Sequence, residues 1–135
     1  KILKKEQFLN YIYYKKWADE CSKIVINIKK KIKKIKQNKI IIGYGAAAKA
    51  NTFLNFSKIK LDFIIDDNPF KQNKFCPGSK IPIKSSDFLK TIKKDIGILP
   101  LAWNFHKEII SRVKKIRPKK NDFFILCFPK LKIEK

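Results

Sequence analysis

One histidine, His106, and three cysteines, Cys21, Cys76 and Cys127, stand in a chain of 135 residues. A single histidine leaves no histidine-built metal cluster, and His106, early in a predicted helix, reads as a partly exposed surface residue rather than a catalytic one. The cysteines are odd in number, far apart and without metal-ligand spacing, so they read as reduced thiols rather than a disulfide framework. Cys21 and Cys127 are expected to be buried. No apolar run approaches the length needed to cross a bilayer, and no apolar signal-peptide core is present, which points to the cytoplasm. The first residue is not Met, as expected for a fragment of a longer protein.

Arginine is nearly missing too. Of 33 basic residues only Arg112 and Arg117 are arginine, against 11 acids and a net charge of +22. Base readout and bidentate phosphate contacts favour arginine, so the charge argues against a dedicated nucleic-acid reader. The lysines are spread along the chain apart from the run 29–36, beside abundant Ile, Asn and Phe, a pattern expected of an AT-rich genome. Such charge still gives salt-sensitive affinity for polyanions.

The hydrophobic fraction is 44%, and eleven Phe, four Tyr and two Trp are present. This composition supports one globular unit with a core of its own. Residues 1–37 form a helical lead-in, with residues 3–37 expected as one long helix or two joined ones. Tyr14, Ala18, Cys21, Val25, Ile28, Ile32 and Ile35 recur at alternating spacings of four and three, a single apolar seam with lysines on the other faces. The seam covers a sheet face or packs on a neighbouring domain, and Trp17, off the seam, faces a partner domain.

Residues 38–135 read as an α/β core. Strands are expected at 39–43, 61–66, 95–99 and 122–128, and helices at 46–56, 85–93 and 104–117. Ser85 or Ser86 and Asn104 are the expected N-caps of the last two helices. Ile81-Pro82-Ile83 is a short extended piece suited to a sheet edge. Residues 68–80 form a polar loop, and Pro129 onward a basic tail. The expected fold is a Rossmann-like α/β three-layer sandwich, with a short parallel sheet in strand order 2-1-3-4 and a long N-terminal helix.

Function concentrates where Ile40-Ile41-Ile42 runs into Gly43-Tyr44-Gly45-Ala46-Ala47-Ala48-Lys49 and Asn51. Strand, glycine turn and helix start are the context of a phosphate-binding loop, with Ala48 at the third position of G-x-G-x-x-G/A. Gly43 permits a turn closed to larger residues, and Gly45 lets a ligand approach bare backbone. Lys49 opposes the helix dipole, which a bound phosphate explains and local stability does not. Lys71, Gln72 and Lys74 approach a diphosphate if their loop folds over the turn. Trp103 and Asn104, at the end of the third main strand, offer a stacking surface and a hydroxyl partner, and Trp103 fits the core equally well. Asp66, about 20 residues past the turn, is either a ribose-binding acid or a cap on the Asn68-Pro69 turn.

Gly43-Tyr44-Gly45-Ala46-Ala47-Ala48-Lys49 with Asn51-Thr52 resembles the C-terminal domain of SAM-dependent sugar C-methyltransferases, enzymes of nucleotide-linked deoxysugars. The resemblance continues in Asp67-Asn68-Pro69, Lys71-Gln72, Pro77-Gly78, Ile81-Pro82-Ile83 and Leu101-Ala102-Trp103-Asn104-Phe105. It covers about residues 40–110, and the helical lead-in looks similar. Ala50 and Asn73 stand where glycines are expected.

The resemblance implies methyl transfer from SAM to a sugar carbon by the whole enzyme, with SAM bound outside this chain, on a separate domain of the same polypeptide. It implies no catalytic residue and no cofactor in this domain, which is expected to be inactive alone and to hold the nucleotide-sugar. The substrate-binding set is then Gly43, Tyr44, Gly45, Ala46, Ala47, Ala48, Lys49, Asn51, Trp103 and Asn104, with no metal, no membrane partner and no specific nucleic acid. Two other readings stand beside it: a nucleotide- or NAD-binding domain with Asp66 on the ribose, and a nonspecific polyanion-binding module.

Overall fold

The computed structural model describes residues 10–128 and 131–135. The predicted helical turns before residue 10 lie outside them. Helix α1 (Tyr11–Lys36) opens on Asn10, whose side chain accepts the Ile12 N–H at 2.9 Å, and it closes on Lys33, Lys34 and Lys36. The cap fills an orphan donor and the terminal cations suit the helix dipole. It is one continuous helix.

Among the described residues six strands follow: β1 (Ile40–Tyr44), β2 (Ile64–Ile65), β3 (Ile83–Lys84), β4 (Ile96–Pro100), β5 (Phe123–Leu126) and β6 (Lys132–Glu134). Their order is β3-β2-β1-β4-β5-β6, parallel except for β6. The four longer predicted strands thus sit in the expected 2-1-3-4 order. The two additions are edge strands. Pro82 carries β3 as anticipated, its carbonyl accepting the Ile64 N–H. The expected basic tail instead pairs Phe124 with Glu134 and Leu126 with Lys132, which covers the exposed edge of β5.

Alternation along the strands sorts the core into two layers. Ile41, Ile64, Leu99, Phe123 and Ile125 face α1 and α2 (Ala48–Ser57). Ile42, Ile65, Ile96, Ile98 and Phe124 face α3 (His106–Ile116) and a 3-10 turn over Ser86–Thr91. The residues expected to form an α-helix at 85–93 make this tighter turn, and Ser85 stands at its start without a side-chain cap. Leu89 alone is buried from it, so a short 3-10 segment suffices to cover that part of the sheet.

Acids at the bases of the strands fasten the chain to itself. Asp62 accepts the Ile41 N–H and Asp122 the Ile96 N–H, each at 2.9 Å. Asp122 also holds the buried Arg117 guanidinium, which donates to the carbonyls of Leu89, Ile92 and Lys94. One side chain thereby ties α3, the 3-10 turn and β5 together. Of the cysteines, Cys127 is buried as expected, Cys21 is only half-buried on α1, and Cys76 is buried within the long loop 68–80.

Candidate functional site

The order β2-β1-β4 puts the switch point of the sheet between β1 and β4, where ligands of open α/β folds bind beyond the carboxyl ends of the strands. The turn after β1 and the loop after β4 meet there. Gly43 lies inside β1, not in the turn. A Cβ on it would stand 2.6 Å from Leu101 Cδ1 and 3.0 Å from Ile64, so this glycine makes room for core side chains. Gly45 is the turn residue, with φ +96°, a conformation that L side chains rarely adopt. Its bare face meets Ala102, whose Cβ would lie 2.9 Å from an added Cβ. The close approach that glycine permits here is therefore between the two loops.

Asp66 closes the turn from below. Its carboxylate accepts the Ala46 N–H at 2.7 Å and the Asn68 N–H at 2.9 Å, and Lys71 Nζ lies 3.3 Å away. Of the two roles open to Asp66, the turn cap is the one seen, and its oxygens are already engaged. Lys71 also donates to the Ala46 carbonyl at 3.0 Å, and Gln72 donates to the Asp66 carbonyl. The polar loop thus does fold against the glycine turn, with Lys71 and Gln72 at the contact. Asn73, in the place of an expected glycine, has φ +61°, and asparagine is among the side chains that tolerate that region. Ala50 is buried in the first turns of α2 against the core, with no positive φ to demand glycine.

Helix α2 begins two residues later than predicted, at Ala48. Its N-cap residue Ala47 offers no side-chain bond, and no acid lies in the first turn. The N–H groups of Ala48, Lys49 and Ala50 therefore lack intrahelical acceptors, and the positive end of the helix dipole is uncompensated. Lys49 is exposed in that same turn. Ala47, Ala48 and Lys49 line a cleft of about 280 Å³ with Leu101, Ala102, Trp103, Asn104 and Phe105. Five of the ten predicted site residues, Ala47, Ala48, Lys49, Trp103 and Asn104, thus share one cleft, and no carboxylate lines it.

The others lie beneath or beside it. Gly43, Tyr44 and Ala46 are buried. Tyr44 points to the α3 side, where its hydroxyl donates to Asp67 at 3.0 Å, and Arg112 Nη1 holds the same carboxylate at 2.6 Å. Burial, reinforced by Asp67, pushes the Tyr44 pKa up to about 12. Asn51 Oδ1 is buried without a hydrogen-bond partner among the described residues. Trp103 packs on Phe128, ring centroids 4.9 Å apart, so one face is held by the core while the residue still borders the cleft. Asn104 is exposed within a short 3-10 turn, and the N-cap position of α3 falls to Phe105. His106 is half-buried, with Nδ1 2.9 Å from the Trp103 carbonyl.

Asp67 and Ala102 stand within the quoted motifs and Arg112 in none, yet sequence reasoning placed none of the three in the site, where the Asp67–Arg112 pair and Ala102 build this end of the molecule. Their signals were weak, because the pair spans 45 positions and Ala102 matters only as the wall that Gly45 touches.

Among the described residues no helix is long and apolar enough to cross a membrane. The chain is similar to the C-methyltransferase NovU of Streptomyces niveus, 30% identical over 106 residues. That match covers 76% of this chain and 25% of the relative, so the chain spans about a quarter of the length of the protein it matches. Residues 2–129 match the family model of the C-methyltransferase C-terminal domain, and the chain belongs to that family.

Proposed function

We propose that this domain holds the nucleotide-linked sugar substrate of a SAM-dependent C-methyltransferase and carries out no chemistry alone. The observation that carries the reading is the uncapped start of α2, with Lys49 in its first turn, opening into a cleft walled by Trp103 and Asn104. Free N–H groups, a helix dipole and an ammonium converge on one spot, as an anion requires. The diphosphate then lies on the Ala47–Lys49 backbone and the Lys49 ammonium, above the turn that Gly45 and Ala46 shape. Trp103 borders the sugar or base, and Asn104 offers a hydroxyl partner. Asn51 follows in the first turns of α2, its buried Oδ1 without a partner among the described residues, and it supports the turn or reaches the ligand. Tyr44 and Gly43 set the turn from beneath.

SAM, bound by another domain, supplies the methyl group. The residues here do not fit an adenosine cofactor: the strand-end acid Asp66 is spent on backbone N–H groups, and the cleft lining holds no carboxylate for ribose hydroxyls. The same geometry disfavours the NAD reading. What the chain contributes is position, since fixing a substrate relative to its reaction partner removes much of the entropy cost of their encounter.

Lys49→Ala tests this. The side chain is exposed and makes no ion pair among the described residues, so the fold should keep its melting temperature. Affinity for a thymidine-diphosphate sugar should fall about tenfold, the loss of one charge-assisted contact. Unchanged affinity would remove Lys49 from the site.

A further inference from the structure

The sheet ends differently on its two sides. At the β3 edge the long loop takes the place of a further strand. Ile83 donates its N–H to the Lys74 carbonyl at 2.8 Å, and the Asn73 N–H donates to the Ile83 carbonyl at 2.9 Å. Phe75 bridges Pro82 beside them. At the other edge β6 pairs with β5, and among the described residues no segment pairs its outer side. The main-chain groups that alternate away from β5 therefore face outward, a template for one more strand.

A basic cleft lies at the foot of this edge. It measures about 870 Å³ and opens between the ends of α1 and α3, at the amino ends of β4 and β5, opposite the Lys49–Trp103 cleft. Ile133 and Lys135 line it, because β6 runs antiparallel and finishes where β5 begins. Lys34, Lys39, Lys114, Lys120 and Lys135 ring it, all exposed. The helix dipoles account for Lys34 and Lys114, each in a last turn. They do not account for Lys39, Lys120 and Lys135, which come from three other segments. The two acids of the lining are occupied: Asp122 holds Arg117, and Asp95 accepts the Asn121 N–H. Lys34, Lys39 and Lys135 make no ion pair among the described residues.

Lysines on a strand edge blunt it against pairing. They do so by charge, so they repel a second copy of this chain, whose net charge is +22, and leave the edge open to an acidic strand. We propose that the outer edge of β6 and the cleft at its foot receive an extended acidic segment of a partner protein. Main-chain bonds to β6 give the hold, carboxylates reach Lys39, Lys120 and Lys135, and the exposed Ile133 takes an apolar side chain. A nucleic acid fits less well. A phosphodiester chain has no groups that continue a sheet, and the one arginine of the lining, Arg117, is buried with its donors spent on Asp122 and three carbonyls.

Two-dimensional NMR of the 135-residue chain at physiological salt tests this, with a peptide of alternating Glu and Val about ten residues long, the length of a long strand. Shifts at residues 131–135 and 34–39, with slowed amide exchange in β6, are expected. Shifts elsewhere only, or none, would overturn the proposal. The same peptide N-methylated throughout cannot pair with the edge and should bind at least tenfold more weakly. Equal binding would leave attraction by charge alone and sink the idea. Lys39→Glu combined with Lys135→Glu should weaken the unmodified peptide at least tenfold, while the dispersion of the spectrum shows the fold kept. Single-stranded DNA that matched the acidic peptide in affinity and footprint would give the surface to nucleic acid, against the proposal.

Discussion

The carboxylate of Asp66 accepts the backbone N–H of Ala46 at 2.7 Å across 20 residues of chain, so the end of β2 holds the turn at the end of β1 in shape. The same carboxylate takes the Asn68 N–H and the Lys71 ammonium, which brings the long loop onto the turn. Whatever binds at the start of α2 binds to a surface that Asp66 has set.

Asp66→Ala leaves the Ala46 N–H buried without its acceptor and Lys71 without its partner. Such a loss costs about 2–3 kcal/mol. Urea denaturation should show a lower midpoint at an unchanged slope. A loss under about 0.5 kcal/mol would mean that the turn holds its shape unaided.

Tyr44 gives a pH signature. Its pKa is raised to about 12, chiefly by burial and then by Asp67, from an ordinary value of 10.0. A raised pKa means that the folded state keeps the proton that the unfolded state releases. This contribution to stability is therefore complete below pH 10 and is lost as pH rises through about 12. Cys127, raised by burial from 9.0 to about 12, adds a loss of the same sign that begins near pH 9. Absorbance titration should show a tyrosine step near pH 12 that Tyr44→Phe removes and Asp67→Asn moves down. Persistence of that step in Tyr44→Phe would contradict the assignment.

Arg117 is almost wholly buried, with Asp122 at 2.6 Å and three carbonyls around its guanidinium. Arg117→Met strands the Asp122 charge and those carbonyls together. Breaking a buried pair from one side costs about 3–5 kcal/mol. Calorimetry should find the variant much less stable or unfolded at 25 °C. Arg117→Met with Asp122→Asn should recover part of the loss, because the orphaned charge is gone.

Much of this was legible in the chain because local signals and global topology agree. Ile40-Ile41-Ile42 reads as a strand covered on both faces and the Ile28–Ile32 seam as a packed helix; each holds in the structure, whereas the turn expected of Gly43 is made by Gly45. The sheet order followed from parallel strands joined by crossovers. What was hidden depended on distant partners. β6 is read as a tail because Lys132-Ile133-Glu134 has no strand signal apart from its pairing with β5. Gly43 looks like a turn glycine until Leu101 is seen filling the space beside it. Seam residues Tyr14 and Ala18 keep helical spacing, yet spacing cannot say where the underlying domain ends. In the candidate site, the cleft residues at 47–49 and 103–104 were found by motif. The pairing of Asp67 with Arg112 was not, since an ion pair between remote positions leaves no local pattern.

The central claim is that the cleft between α2 and the β4–α3 loop takes a nucleotide-linked sugar. Two-dimensional NMR of the chain at physiological salt, titrated with a thymidine-diphosphate sugar and with NADH and SAM in parallel, tests it most directly. The account predicts shifts confined to residues 45–51 and 101–105 with the sugar nucleotide, and none there with NADH or SAM. Shifts at those positions with NADH, or a sugar-nucleotide response spread over the lysines of α1 and abolished by moderate salt, would contradict it.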